Sequence, residues 1–251
     1  MMIKPFFSII TVTRDNLDGL KQTALSLTQE DHSLYEWIVI DGASTDGSPE
    51  YLKTTAAQWI SEPDHGIYDA MNKGLVRATG EYVLFLNAGD TLALPRTLET
   101  LATLLAVRPA QPDLIYGDAF EDGLIKPARP YLDIPQGLFT HHQAIFYRRT
   151  AIGDLRYDQT YNIAADYKFT AQFLRHATDV LYWPRPLCRF ETGGLSQRQA
   201  FKGRMQQSLI RRELGMTLPL EELLIVSKQT LAFTLRRMAP QLYWRLRATS
   251  T

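Results

Sequence analysis

The sequence predicts an α/β fold, with a mostly parallel central sheet, helices on both faces and a helical C-terminal extension. Three observations predict it. The runs "FFSIITVT" and "EWIVID" are nearly continuous in apolar and β-branched residues, as strands buried on both faces must be. Between such runs, apolar residues recur at helical spacing. Acidic residues stand just past several strand ends, where open parallel sheets bind ligands.

In order, residues 6–13 read as the first strand and 17–27 as a helix. Residues 36–41 form the second strand, and "GASTDGS" (42–48) is a Gly/Ser turn cluster. A short helix over 49–56 and a brief strand at 59–60 follow. Residues 66–79 read as a helix, because Ile67, Ala70, Met71, Gly74, Leu75 and Ala78 fall near one face. Residues 81–90 are a strand running into a polar turn, 94–107 a helix and 112–120 another strand. That alternation is what a mostly parallel sheet covered on both faces requires.

The pattern then changes. Residues 121–137 are rich in turn formers, 141–149 contain a short strand, and 164–176 form a helix. Residues 180–191 are a strand broken by prolines, and "TGGLS" is a flexible loop. Residues 197–214 and 220–246 are mainly helical, interrupted near 215–219 and at Pro240. There is no internal repeat and no low-complexity linker, so the expected division is a domain over 1–195 carrying an extension over 196–251.

Composition narrows the function. With 251 residues, 45% apolar and 22% charged, the chain can bury a sizeable core. The formal net charge is zero, so no global basic field draws it to nucleic acid. The single cysteine, Cys188, allows no internal disulfide, which fits a reducing compartment, and it reads as a core residue. The N-terminus has no signal-peptide pattern, and no run of about 18 apolar residues exists to span a membrane. Charge is uneven: residues 200–251 hold nine basic and three acidic residues, so the body is acidic.

The candidate site residues are the strand-end carboxylates Asp41, Asp90 and Asp118, with Asp64 after the brief strand. Carboxylates placed there can grip a sugar hydroxyl, a base N–H, or a metal that bridges a diphosphate. The glycine cradles of dinucleotide and P-loop enzymes are absent, so phosphate would need a metal or basic side chains. Arg14, Lys73 and Arg77 stand in suitable positions and read equally well as surface charges. Asp64 also reads as a cap for the helix at 66–79, and Asp69 and Lys73 as an ordinary i,i+4 pair.

The ordered set "SIITVTRDN", "WIVIDGASTDGS", "SEPDHGIYDAMNKG" and "LFLNAGD" resembles the family 2 inverting glycosyltransferases, most of all those of colanic acid and related exopolysaccharide synthesis. The resemblance continues through "YGD", "HHQAIFYRR" and "AADYKF" and fades after about residue 200. It implies the GT-A nucleotide-sugar fold, a divalent cation (Mn²⁺ or Mg²⁺), and transfer from a nucleotide-sugar donor. The donor expected is a UDP-sugar. Carried over by motif, Asp41 accepts from the donor base, and Thr11 and Arg14 border the nucleotide. Asp64 meets the base or ribose side, and Asp90 is the metal ligand. That element, Asn87-Ala88-Gly89-Asp90, holds one carboxylate where the family commonly has two, which leaves the cation fewer protein ligands, with Asn87 counted among the donor-binding residues.

Inversion at an anomeric carbon needs one general base and a stabilised leaving group. By resemblance the base is Asp166, preceded by Ala165 where the family has a second acid; the other reading is a helix-terminal Asp favoured by the dipole. His142 or its neighbour His141, with Gln143, is expected along the acceptor or diphosphate region, and Asp118 near the donor sugar or acceptor. Adjacent histidines in an extended chain point opposite ways, so they do not share one metal.

The resemblance implies a glycan or undecaprenyl-diphosphate-linked oligosaccharide acceptor and a place at the cytoplasmic face of the inner membrane. The basic, aromatic stretch 231–247 suits a helix lying on an anionic membrane, and equally a packed terminal helix with a solvated face. Two other classes remain. A sugar nucleotidyltransferase would carry a Gly-rich basic loop after the first strand, and "TVTRDNLDG" is a poor version. A non-catalytic carbohydrate-binding or scaffold relative would tolerate joint loss of Asp90 and Asp166, both of which are present.

Overall fold

The computed structural model describes residues 5–239 and residue 241. The chain begins β1 (Phe7–Thr13), α1 (Leu17–Leu27), β2 (Tyr35–Asp41), α2 (Ser48–Leu52), β3 (Gln58–Ser61), α3 (Ile67–Arg77). It continues β4 (Tyr82–Phe85), β5 (Thr91–Leu92), α4 (Thr97–Ala106), β6 (Leu114–Glu121), β7 (Leu124–Lys126). It ends β8 (Ile145–Arg148), α5 (Arg149–Ile152), α6 (Ala165–Leu174), β9 (Val180–Phe190), α7 (Leu195–Arg198), α8 (Ala200–Glu213), α9 (Pro219–Met238).

The strands form one sheet, ordered β3-β2-β1-β4-β8-β6-β9-β5, with β7 on β6. The first four are parallel, as expected. β8 then runs antiparallel to both neighbours, while β6 and β9 are parallel. The α/β fold stands, with a sheet that is mixed rather than mostly parallel. Apolar runs reveal burial but not strand direction, and β8 enters between β4 and β6 from a long connection.

Two further differences have local causes. The expected strand 81–90 is divided: β4 stops at Phe85, and after Gly89 (φ 101°) β5 pairs at the far edge with β9. β9 is not broken by its prolines. Its register with β6 shifts beside Pro186 instead, at Gly117–Asp118 and Asp118–Ala119, a bulge that absorbs the missing donors.

Alternation along β1 supplies both cores. Phe7 and Ile9 pack with Leu20 and Leu27 of α1 and Leu98, Leu101 and Leu105 of α4. Ile10 and Val12 face Ala70, Met71 and Leu75 of α3 and Phe169 and Phe173 of α6. α3 lies so close to β1 that a Cβ on Gly74 would sit 2.4 Å from Ile10 Cγ2. Gly74→Ala is therefore expected to lose stability, by about 1–2 kcal/mol after the gain in helix propensity. Chemical denaturation measures this.

The C-terminal helices pack back on the body. Ile210 of α8 and Leu214 just beyond it meet Ala164, Tyr167 and Ala171. The fully buried Arg211 reaches Glu222 through two hydrogen bonds of 2.7 and 2.8 Å, tying α8 to α9. The expected helix 220–246 is seen as α9 as far as Met238, with Ala239 closing it; the rest of the stretch, apart from residue 241, lies outside the described residues.

Candidate active site

A cleft of about 860 Å³ opens beyond the carboxyl ends of β1 and β4. The loop after β1 brings Arg14 and Asn16 to it, and the turn after β4 brings Asn87 and Asp90. Asp64 and Tyr68 come from the start of α3, His142 and Gln143 from the 3₁₀ turn before β8, Asp166 from the first turn of α6, and Glu191 from the end of β9.

Asp90 is 4% exposed. Its Oδ2 accepts from Gln143 Nε2 at 2.8 Å and its Oδ1 from the Glu191 backbone N–H at 2.9 Å. Burial above all, with the nearby Glu191 charge, pushes its pKa up to about 7 despite those donors. Glu191 folds over the turn, where a Cβ on Gly89 would lie 1.8 Å from its Oε2. Only glycine, with its positive φ, lets the two carboxylates stand this close. Neither has a lysine or arginine partner among the described residues. Asn87 Oδ1 is buried beside them with no hydrogen-bond donor. This is a donor set that fits a hard cation, with diphosphate oxygens and water completing its shell. Among the described residues no three His, Cys, Asp or Glu side chains gather around one point, so protein carboxylates would supply only part of that shell.

Asp166 Oδ1 accepts from the Tyr167 backbone N–H at 2.8 Å and faces the Tyr68 hydroxyl at 3.2 Å. Among the described residues no other residue is seen donating to its second oxygen, and Asp166 lines the cleft. Burial is the main influence on its pKa, which stands at about 6. That suits a group that takes a proton near neutral pH.

The remaining candidates divide. Arg14, Asp64, Asn87 and His142 line the cleft. Asp64 accepts from the Gly66 N–H at 2.9 Å and lies over Gly42, where a Cβ would sit 2.5 Å from its Oδ2. Gly66 is itself the residue that opens α3, and α3 has no side-chain cap. The simple capping reading of Asp64 is therefore not what is seen. His142 Nε2 meets the Tyr157 hydroxyl at 2.7 Å, and burial drops its pKa to about 3, so it is a neutral ring. His141 turns instead to Glu121, 3.3 Å away, and the two histidines diverge as expected.

Four candidates stand off the cleft wall. Thr11 is fully buried, donating to the Leu86 carbonyl at 2.7 Å and accepting from Trp37 Nε1 at 2.9 Å. Asp41, also fully buried, closes its own turn by accepting from the Ser44 N–H (3.0 Å), the Ser44 hydroxyl and the Ser61 hydroxyl (2.5 Å). Asp118 accepts from the Ala128 N–H and the Tyr182 hydroxyl at the bulge. Lys73 pairs with Glu62 at 2.9 Å and with Asp69 at 3.4 Å. A carboxylate at a strand end shows where the chain turns, but not whether its oxygens are already taken.

Sequence reasoning missed Glu191, which falls at the edge of the "TGGLS" stretch read as a loop. The signal was present, since Glu191 follows a strand just as Asp90 does. Glu121 was missed too. It is 3% exposed, and although burial works the other way, His141 and Lys126 hold its carboxyl well below the usual range.

The order of strands, the helices on both faces and a carboxylate cleft without a phosphate-cradling glycine loop define the GT-A class of sugar transferases. The chain belongs to glycosyl transferase family 2, whose model matches residues 8–160, and it is a glycosyltransferase. It is 31% identical to the PGL/p-HBAD biosynthesis glycosyltransferase of Mycobacterium bovis (strain BCG / Pasteur 1173P2), over 86% of this chain and 89% of that protein. Among solved structures it is similar to S. aureus TarS 1-349 in complex with UDP-GlcNAc, with TM-score 0.69 and 17% identity over 89% of this chain and 71% of that one. The mannosyltransferase PcManGT from Pyrobaculum calidifontis, in complex with GDP-Man and Mn²⁺, gives TM-score 0.65 and 16% identity over 98% of this chain and 75% of that one. At those identities the structures share the fold.

Proposed function

We propose that this enzyme transfers a sugar, with inversion, from a nucleotide-diphosphate donor to a hydroxyl of a glycan or lipid-linked oligosaccharide for a bacterial surface glycoconjugate. The observation that carries the reading is that Asp90, in the turn after β4, and Asp166, in the first turn of α6, line one cleft with complementary chemistry. Asp90 and Glu191 have no lysine or arginine ion pair among the described residues, and Asp166 turns one oxygen away from its Tyr167 and Tyr68 donors. Asp166 takes the acceptor proton as the new bond forms, while Arg14 and Asp64 border the nucleotide. A divalent cation held at Asp90 and Glu191 would neutralise the departing diphosphate. A UDP-sugar is the donor favoured, supported by the likeness to the TarS complex with UDP-GlcNAc. The mycobacterial relative's role in PGL/p-HBAD biosynthesis supports a precursor of a surface glycoconjugate as acceptor; colanic-acid-type exopolysaccharide rests on the sequence resemblance alone.

Nucleotide release from UDP-, GDP- and dTDP-sugars, with Mn²⁺ or Mg²⁺ and lipid-extracted acceptors, tests this. Cation-dependent release from one UDP-sugar is expected. Failure of every donor to bind by calorimetry would leave the non-catalytic carbohydrate-binding reading.

Residues 196–251 form, in this reading, an extension that seats the catalytic unit (1–195) on the cytoplasmic leaflet. No helix of the described residues is long and apolar enough to cross a membrane. α9 turns Glu222, Ile225, Gln229 and Phe233 toward the body. On the opposite side Leu220, Leu223, Leu224, Leu231 and Met238 are all more than half exposed, with Lys228 and Arg237 flanking them. Cosedimentation with phosphatidylglycerol vesicles is expected for the whole protein. It should fall about tenfold or more in Leu223→Glu/Leu231→Glu, with the thermal midpoint unchanged.

A further inference from the structure

The sequence motif "GIYDAMNKG" lines the cleft with Gly66, Ile67, Tyr68, Ala70 and Met71, and three of its polar side chains reach one segment. Tyr68 donates to the Ile163 carbonyl at 2.7 Å and also faces Asp166 Oδ1. Asp69 Oδ1 accepts from Gln159 Nε2 at 3.1 Å. Asn72 grips the Tyr157 backbone twice, donating to its carbonyl at 2.9 Å and accepting from its N–H at 2.8 Å. All three residues lie on α3, and all hold residues 157–166, the segment that delivers Asp166. From the other side Gln206 of α8 accepts from the Ile163 and Ala164 N–H groups at 3.0 and 3.1 Å.

We propose that Tyr68 is the positioning residue for Asp166: its one hydroxyl proton, shared between the Ile163 carbonyl at 2.7 Å and Asp166 Oδ1 at 3.2 Å, holds Oδ1 and so turns Oδ2 toward the acceptor hydroxyl. The proposal rests on Asp166 being the base. A carboxylate at the first turn of a helix can rotate about χ1 and χ2, and a base must keep one lone pair aimed at its proton. The Tyr167 N–H and the Tyr68 hydroxyl together engage one oxygen and leave the other open to the cleft. Tyr68 is itself fixed by stacking on Tyr157, with ring centroids 5.5 Å apart and planes at 21°.

The surroundings make this contact readable. Besides Tyr68 of α3, the titratable groups facing Asp166 are Tyr147 of β8 and Tyr157 of the segment itself, and burial pushes both phenols upward. His142, beyond Tyr157, is neutral. The charges that α8 brings near α6 are already paired, Glu213 with Lys168 and Arg211 with Glu222. A donor to the ionised carboxylate lowers its pKa, so losing the Tyr68 hydroxyl raises it.

The test is a carbon-13 NMR titration of the Asp166 carboxyl in the full chain and in Tyr68→Phe, with Asp166→Asn identifying the resonance. Wild type should titrate near pH 6 and Tyr68→Phe about half a pH unit higher, because the shared proton gives Asp166 only part of a hydrogen bond. The acid limb of kcat/KM should move with it, with KM for the donor unchanged. An unmoved titration in a folded Tyr68→Phe would overturn the proposal. Activity retained by Asp166→Asn would overturn the base assignment instead, so the two failures are distinct. If Tyr68→Phe does not fold, Gln206→Ala tests the same clamp from α8: kcat should fall several-fold, and an unchanged kcat would count against a clamped base.

Discussion

Asp166→Asn is expected to lower sugar transfer by about 10²–10⁴-fold while leaving donor affinity nearly unchanged. Asparagine keeps the shape of the side chain and can still accept from the Tyr167 N–H, so the fold should hold. What it cannot do is take a proton. The prediction separates a base from a binding group, because loss of a contact would appear in KM as well as kcat. pH dependence gives a second check. Asp166 stands at about 6, so wild-type kcat/KM should climb as pH rises through 6 and level off above it. That limb should be missing from the residual activity of the variant.

Asp90→Asn should produce two effects of opposite sign. Cation binding, followed by calorimetry or by the paramagnetic signal of Mn²⁺, should weaken by about 10²-fold or more, because the ionised ligand is gone. The cation-free protein should become more stable at pH 8. The direction follows from linkage. Asp90 has a folded pKa of about 7 against 3.8 for the free carboxyl, so the folded state holds a proton that the unfolded state has lost between those values. Stability falls as pH rises through that window, and above 7 the buried charge costs roughly 4 kcal/mol. Asparagine carries no such charge. At pH 8 its thermal midpoint should exceed wild type by several degrees, and below pH 4 the difference should vanish. The same proton predicts that wild-type Mn²⁺ affinity rises about tenfold per pH unit up to 7, with a proton released on binding.

Much of the fold was legible in the sequence, because its N-terminal half is built from strong periodicities. α1 falls over the residues that its apolar spacing indicates, and β1 and β2 differ from the expected spans by one residue. Strand direction was not legible: β8 and the displaced β5 depend on where the chain returns from distant loops. The site was legible in part for a similar reason. Asp90 and Asp166 stand where motif and chemistry place them, facing the cleft. Asp41 and Asp118 share their pattern, but nearby hydroxyls and amides take up their oxygens. Whether a carboxylate is already satisfied depends on residues such as Ser61 and Tyr182, 20 and 64 positions away. Glu191 is the converse case, a side chain whose meaning appears only when Gly89 turns beneath it.

The grip of Gln206 on the Ile163 and Ala164 N–H groups bears on the order in which a ribosome delivers this chain. The sheet, most of the cleft wall and the α3 side of the clamp are complete in sequence by the end of β9, and Glu191, Gln197 and Gln207 add to the wall afterwards. The α8 side emerges later, from the last fifth of the chain. A nascent chain can therefore shape a pocket for the donor before its base is fully held. On the proposed reading, the hold on the base is completed by α8, which immediately precedes the helix with the outward leucine face.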